Sequence, residues 1–133
     1  MPGASAAFRL LNQRGIKVAL NTGFSRDIAR TLIDRLGWER AGLIDASVTS
    51  DEVKRGRPHP DMIQRLMLHL GVTNPQSVVK VGDTPADLLE GRNAGCGLVI
   101  GVTGGSSTRE QLEKFPHDHL IATVAQLPEL LVS

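Results

Sequence analysis

A chain of 133 residues suits one compact domain, and 41% hydrophobic with 22% charged residues gives it enough apolar side chain for a core without any low-complexity stretch that would stay disordered. A formal net charge of +1, with the arginines scattered, leaves no electrostatic footprint for nucleic acid or an anionic membrane, so neither partner is expected. No run approaches the roughly 20 apolar residues of a membrane span, and the single cysteine, Cys96, excludes an internal disulfide or a multi-cysteine metal site.

Ala4 to Arg14 reads as a helix, with Ala7, Leu10 and Leu11 on one face and Gly15 as a stop. "IKVALNTG" follows as a short apolar run ending in polar residues and glycine, the form of a buried parallel strand. Ser25 can cap a second helix carrying Ile28, Leu32 and Leu36 before Gly37, and "LIDASVTS" is a strand. In "DEVKRGRPHPD" the residues Gly56, Pro58 and Pro60 deny helix and ladder alike, so it is a loop. Pro60 then opens a helix whose Met62, Ile63, Leu66, Met67 and Leu70 face the core, closed by Gly71. "SVVKVG" is a strand, Thr84 with Pro85 and Asp87 starts a helix, "GLVIGV" is a further strand and "GGSS" a loop. "HLIATVAQLPELL" gives a weaker strand and a last helix.

Apolar strands alternating with helices of about 10 to 12 residues argue for an α/β domain, a doubly wound, Rossmann-like parallel sheet with helices on both faces, over residues 1–133 as one unit. In such sheets ligands bind outside the carboxyl ends of the strands. With a single cysteine, a reducing, cytoplasmic setting is expected.

Polar residues cluster at those predicted strand ends. Asp83 ends a strand and Asp87 lies a turn into the next helix, so both carboxylates can face one crevice. Paired hard oxygen ligands without a histidine or cysteine cluster suit Mg²⁺ sharing its shell with water and phosphate. Capping of the helix start is the alternative for Asp87, whereas Asp83, expected to be buried, has no such explanation. Thr22, followed by Gly23, offers donors to a phosphoryl oxygen, and Arg57, held between Gly56 and Pro58, either grips a phosphate or is a solvated loop cation. Lys54 and Arg55 read as solvated charges, the four histidines lack ligand spacing, and Ser106 and Ser107 suit a helix cap better than a nucleophile.

"VALNTGFSR", "GRPHPD" and "VGDTPADLLEGRNAG" resemble, in this order, the second, third and fourth motifs of haloacid dehalogenase-like hydrolases, most closely the phosphonatase-like members. The resemblance implies that Thr22 hydrogen-bonds the transferring phosphoryl group, that Arg57 neutralises phosphate and nucleophile, that Asp83 is a Mg²⁺ ligand and that Asp87 supports the metal. It implies a small phosphorylated or phosphonate substrate, cleaved at P–O or P–C through an aspartyl-phosphate. The family's first motif, D-x-D, is missing, since no two aspartates stand two apart, and so is the cap domain. The missing first strand would lie between "KVALN" and "VVKVG", so the chain is expected to be a truncated core or to receive that strand from another chain, including a second copy. A phosphosugar phosphatase or mutase, and a non-catalytic module with an incomplete Mg²⁺ or phosphate site, are the competing readings.

Overall fold

The computed structural model of the protein describes residues 4–22, 44–105 and 107–131. In chain order the described elements are α1 (Ala4–Gln13), β1 (Ala19–Thr22), β2 (Ala46–Thr49), α2 (Asp61–Leu70), β3 (Val79–Gly82), α3 (Pro85–Ala94), β4 (Leu98–Val102), α4 (Arg109–Leu112), β5 (His119–Ile121) and α5 (Leu127–Leu131), with short 3-10 turns between some of them. The helix expected from Ser25 to Gly37 lies outside the described residues.

All described strand pairs are parallel. β1 pairs with β2, Thr22 opposite Thr49, and β3-β4-β5 form a separate three-stranded sheet with Gly82 opposite Gly101 and Val102 opposite Ile121. Among the described residues, β1 and β3 are not paired with each other.

Alternation along the second sheet builds two cores, because successive side chains of a strand point to opposite faces. Ile100, Val102, Ile121, Val124 and Leu127 bury on one face with Phe8, Val79 and Val81 against them. Ile63, Leu88, Cys96, Val99 and Leu112 bury on the other with Met67 and Phe115. Helices therefore cover both faces, as the sequence pattern indicates. Cys96 is a packing residue, and burial, countered by the Lys80 charge and reinforced by Glu90, holds its thiol above its ordinary pKa.

Several details differ from the sequence expectation. Ala7 and Leu11 are buried but Leu10 is 47% exposed, because α1 packs on a short helix and a 3-10 turn that cover only one row of its face. Pro60 is the cap residue and α2 begins at Asp61. Only Met62 and Ile63 of the α2 stripe are fully buried; Leu66, Met67 and Leu70 are half-buried as the helix rises toward the surface. Thr108, not Ser107, caps α4, its hydroxyl accepting from the Gln111 amide at 3.2 Å while Gln111 reaches back to the Thr108 amide; Ser106 is outside the described residues.

Candidate active site

The carboxyl end of β3 runs straight into the start of α3, and this turn assembles most of the site. Thr84 is extended (φ −128°, ψ 158°), Pro85 needs no amide donor in the first turn, and Asp87 takes the third helical position. Thr84 and Asp87 form a reciprocal capping box. The Asp87 amide donates to Thr84 Oγ1 at 3.2 Å, while Asp87 Oδ2 accepts from the Thr84 amide at 3.1 Å, from Thr84 Oγ1 at 2.9 Å and from the Asp83 amide at 3.1 Å. Gly82 is needed here, since a Cβ on it would sit 2.6 Å from Asp87 Oδ2.

The other oxygen of the same carboxylate faces two cations. Arg57 Nη1, from the loop after β2, lies 2.6 Å from Asp87 Oδ1, and Lys80 Nζ lies 3.6 Å from it. Burial pushes the Asp87 carboxyl up, but the Lys80 charge, the Arg57 hydrogen bond and charge, and the Thr84 hydroxyl outweigh it, so its pKa falls below the ordinary carboxylate value.

The burial of the two aspartates is the reverse of the expectation. Asp83 is half-buried and Asp87 is 4% exposed, because the helix start folds Asp87 inward beneath the turn while Asp83 stays at the rim. Behind Asp83 the loop after β4 closes in, and a Cβ on Gly105 would collide with Asp83 Oδ2 and come within 2.8 Å of its Cγ. Glycine at 105 is what lets this backbone cradle the carboxylate.

Thr22 is the last residue of β1, beside Thr49 of β2. Thr49 gives its hydroxyl to the acidic turn that follows it, Asp51 and Glu52. Arg57, Asp83 and Asp87 are thus brought together directly, and Thr22 stands at the carboxyl end of the neighbouring sheet. Gly23 is outside the described residues. The loop charges behave as read from the sequence: Arg55 is exposed and pairs with Asp61 at 3.3 Å. His117 is half-buried, its Nδ1 2.8 Å from the Phe115 carbonyl, and His69 and His119 are exposed.

Three residues of this region carry no motif weight in the sequence reading. Lys80 sits inside the apolar run "SVVKVG" and Glu90 inside α3, and both are buried. Their charges, with Asn21 of β1, lie directly below Asp87. A lysine in a strand otherwise made of valines was the available signal, since a buried ammonium requires a partner.

A family profile described as hydrolase, haloacid dehalogenase-like hydrolase, matches residues 1–95. The chain belongs to the haloacid dehalogenase-like hydrolase family. Among its relatives, this hydrolase-family chain is 38% identical over 116 residues to a phosphonoacetaldehyde hydrolase of Parabacteroides distasonis, covering 86% of the chain and 43% of that protein. It is 34% identical over 155 residues to a phosphonoacetaldehyde hydrolase of Bordetella pertussis, covering 98% of the chain and 55% of that protein. The chain spans about half the length of the curated relatives it matches. A crystal structure of a phosphonoacetaldehyde hydrolase-like protein from Oleispira antarctica superposes with a TM-score of 0.85 at 27% identity, over 98% of this chain and 55% of that one. A putative beta-phosphoglucomutase from Thermotoga maritima shares the fold, with a TM-score of 0.86 at 24% identity over 98% of this chain and 59% of that one.

Whether the residues present suit Mg²⁺ can be tested on the donors. Among the described residues no group of three or more His, Cys, Asp or Glu side chains is placed to hold a metal. Mg²⁺ asks for less than that, because it retains waters and is commonly held by one or two carboxylates plus substrate phosphate. The rim carboxylate of Asp83, cradled by Gly105, fits that requirement. Asp87 has both oxygens engaged by cations and amide or hydroxyl donors, which suits it to holding the turn in place.

Proposed function

We propose that this chain carries the metal- and phosphate-holding part of a Mg²⁺-dependent hydrolase acting on a small phosphorylated or phosphonate metabolite. The reading is carried by one observation, the turn in which Asp83 stands half-buried at the end of β3 while Asp87, whose carboxylate accepts from the Asp83 amide, is clamped by Arg57 and Lys80. In this reading Asp83 holds Mg²⁺, which when bound neutralises charge on the phosphoryl oxygens and orients the group. Thr22, with its sequence neighbour Gly23, donates to a phosphoryl oxygen. Arg57, 28% exposed at its side chain, extends positive charge toward the same space while Nη1 keeps hold of Asp87. Asp87 acts as a positioning residue that fixes the Asp83 and Thr84 backbone.

The attacking carboxylate is assigned elsewhere. No two aspartates stand two apart in the sequence, and among the described residues β1 and β3 share no ladder although Lys80 of β3 reaches Asn21 of β1 at 2.8 Å. We assign the nucleophile to a strand seated between them, supplied by a further segment of the whole protein or by a second chain, with residues 1–133 forming one core unit without a cap. Covalent attack by that carboxylate would split the reaction into two steps, with positioning and charge neutralisation lowering both barriers.

The test has two arms on the 133-residue chain. Orthophosphate binding is measured by calorimetry with and without Mg²⁺, for the wild type and Asp83→Ala; binding that needs Mg²⁺ and is lost in the variant is expected, and Mg²⁺-independent or absent binding overturns the reading. Phosphate release is measured from acetyl phosphate, p-nitrophenyl phosphate, a hexose phosphate and phosphonoacetaldehyde. Release by this chain alone would overturn the assignment of the nucleophile, and the preferred compound separates a phosphonatase-like activity from a phosphosugar phosphatase or mutase. That β1 and β3 share no ladder among the described residues also favours a second reading, a non-catalytic Mg²⁺ or phosphate module, which predicts binding without turnover even in the whole protein.

A further inference from the structure

Across the space between the two sheets, side chains do what no backbone ladder does among the described residues. Lys80 of β3 donates to Asn21 Oδ1 of β1 at 2.8 Å, and Asn21 Nδ2 donates to Glu90 Oε2 of α3 at 3.0 Å. Lys80 Nζ closes the triangle at 2.9 Å from Glu90 Oε1, an ion-pair distance without an aligned hydrogen bond. A carboxamide can make both Asn21 contacts at once, because its oxygen accepts from the cation while its nitrogen donates to the anion.

The site is built to admit this lysine. Val79 and Val81 pack into the core on the far face, so Lys80 points to the α3 face, where a Cβ on Gly91 would lie 2.8 Å from Lys80 Cβ and 2.9 Å from its Cγ. The side chain of Lys80 is 7% exposed and that of Glu90 is fully buried. A buried ion pair is poor at adding stability, since an apolar pair of matching volume often does as well or better. Fold stability alone therefore gives little reason to link three buried charges, Asp87, Lys80 and Glu90, in one chain with the partly exposed Arg57, and the ends of that chain give a better one. One end is Asp87, which holds the Asp83 turn; the other is Asn21, the residue before Thr22.

We propose that Lys80 is a positioning residue of the crevice: gripped by Glu90 and Asn21, its ammonium fixes Asp87 beneath Arg57 and fixes the end of β1 that bears Thr22, setting the two halves of the site at one separation. The functional consequence rests on the reading of the crevice as a Mg²⁺ and phosphate site, whereas the geometric one does not.

Three variants separate positioning from simple structural support: Lys80→Met, Lys80→Arg, and the paired Lys80→Met/Glu90→Leu, which replaces the ion pair by apolar side chains. Thermal unfolding, orthophosphate binding with Mg²⁺, and the NMR resonances of the Arg57 Nε–H and the Thr22 amide are read for each. Lys80→Met is expected to lower the melting temperature, and the paired variant to restore it. Both are expected to weaken orthophosphate at least tenfold and to move the Arg57 and Thr22 resonances toward solvent-exposed values, with Lys80→Arg recovering part of the loss. A paired variant that regains both stability and wild-type binding overturns the proposal, because the network is then only structural support. If the wild type itself binds no orthophosphate, the reading of the crevice fails and the resonances decide: unmoved Arg57 and Thr22 signals in the paired variant overturn the positioning role, and shifted signals uphold it.

Discussion

Arg57 and Asp87, thirty residues apart, meet at 2.6 Å, and the Asp87 carboxylate also closes the capping box with Thr84 at the start of α3. One side chain thus closes a loop onto a helix start and satisfies amide donors that would otherwise be orphaned. Asp87→Ala removes the capping box and leaves Lys80 with one anion fewer in a buried site, so it should cost about 3–5 kcal/mol. Arg57→Ala should cost about 1 kcal/mol, since its partly exposed guanidinium is screened by water and Lys80 remains beside the carboxylate. Urea denaturation of the three proteins measures both; equal losses would mean that Lys80 does not share the load.

The lowered pKa of Asp87 fixes the sign of a pH effect. The unfolded chain takes up its proton first as pH falls, so the stability contributed by this carboxylate is present above about pH 4 and is lost as pH drops through the lower folded value. Unfolding free energies measured from pH 6 down to pH 2 should fall more steeply for the wild type than for Asp87→Asn. Parallel curves would remove Asp87 from the account of acid sensitivity.

Gly91 lies where α3 crosses Lys80 and Val99. An added methyl would stand 2.8 Å from Lys80 Cβ and 2.9 Å from Val99 Cγ2, atoms near the backbone that cannot swing away. Although alanine is the better helix former, Gly91→Ala should destabilise by about 1–3 kcal/mol through overpacking. A gain in melting temperature would show that helix and strand can part without cost.

Gly105→Ala acts on a different property. Its methyl would strike the Asp83 carboxylate and stand 2.5 Å from Asp83 Cβ, so the loop or the turn must shift. Stability should fall by about 1 kcal/mol. Mg²⁺-dependent orthophosphate binding should weaken about tenfold or more, consistent with the loss of one well-placed contact. Calorimetry alongside thermal unfolding reads the two effects separately, and unchanged binding would mean that the loop moves aside freely.

Local patterns carried the elements and part of the site. Apolar runs ending in polar residues give parallel strands at Ala19–Thr22, Val79–Gly82 and Leu98–Val102, and Thr84, Pro85 and Asp87 give a helix start, because capping and strand burial are decided within a few residues. The spacing of Asp83 and Asp87 likewise placed both carboxylates at one turn. It pointed to Asp83 as the buried one, and the structure buries Asp87 instead, since the capping box that draws Asp87 inward is decided only when the turn closes.

What the tertiary structure alone decided is the company each charge keeps. Sequence separation hides that Asn21, Lys80 and Glu90 form one triangle, that Arg57 reaches Asp87, and that Gly105 backs Asp83, because each contact joins segments whose distance depends on how two sheets and a helix pack. By itself the sequence determined the α/β class, the strand ends that face the crevice and the absence of a D-x-D pair, all of which follow from short-range periodicity and composition. The separation of β1 from β3, and the buried charges that span it, follow from long-range packing, where a lysine among valines is costly until a carboxylate and a carboxamide from elsewhere in the chain close around it.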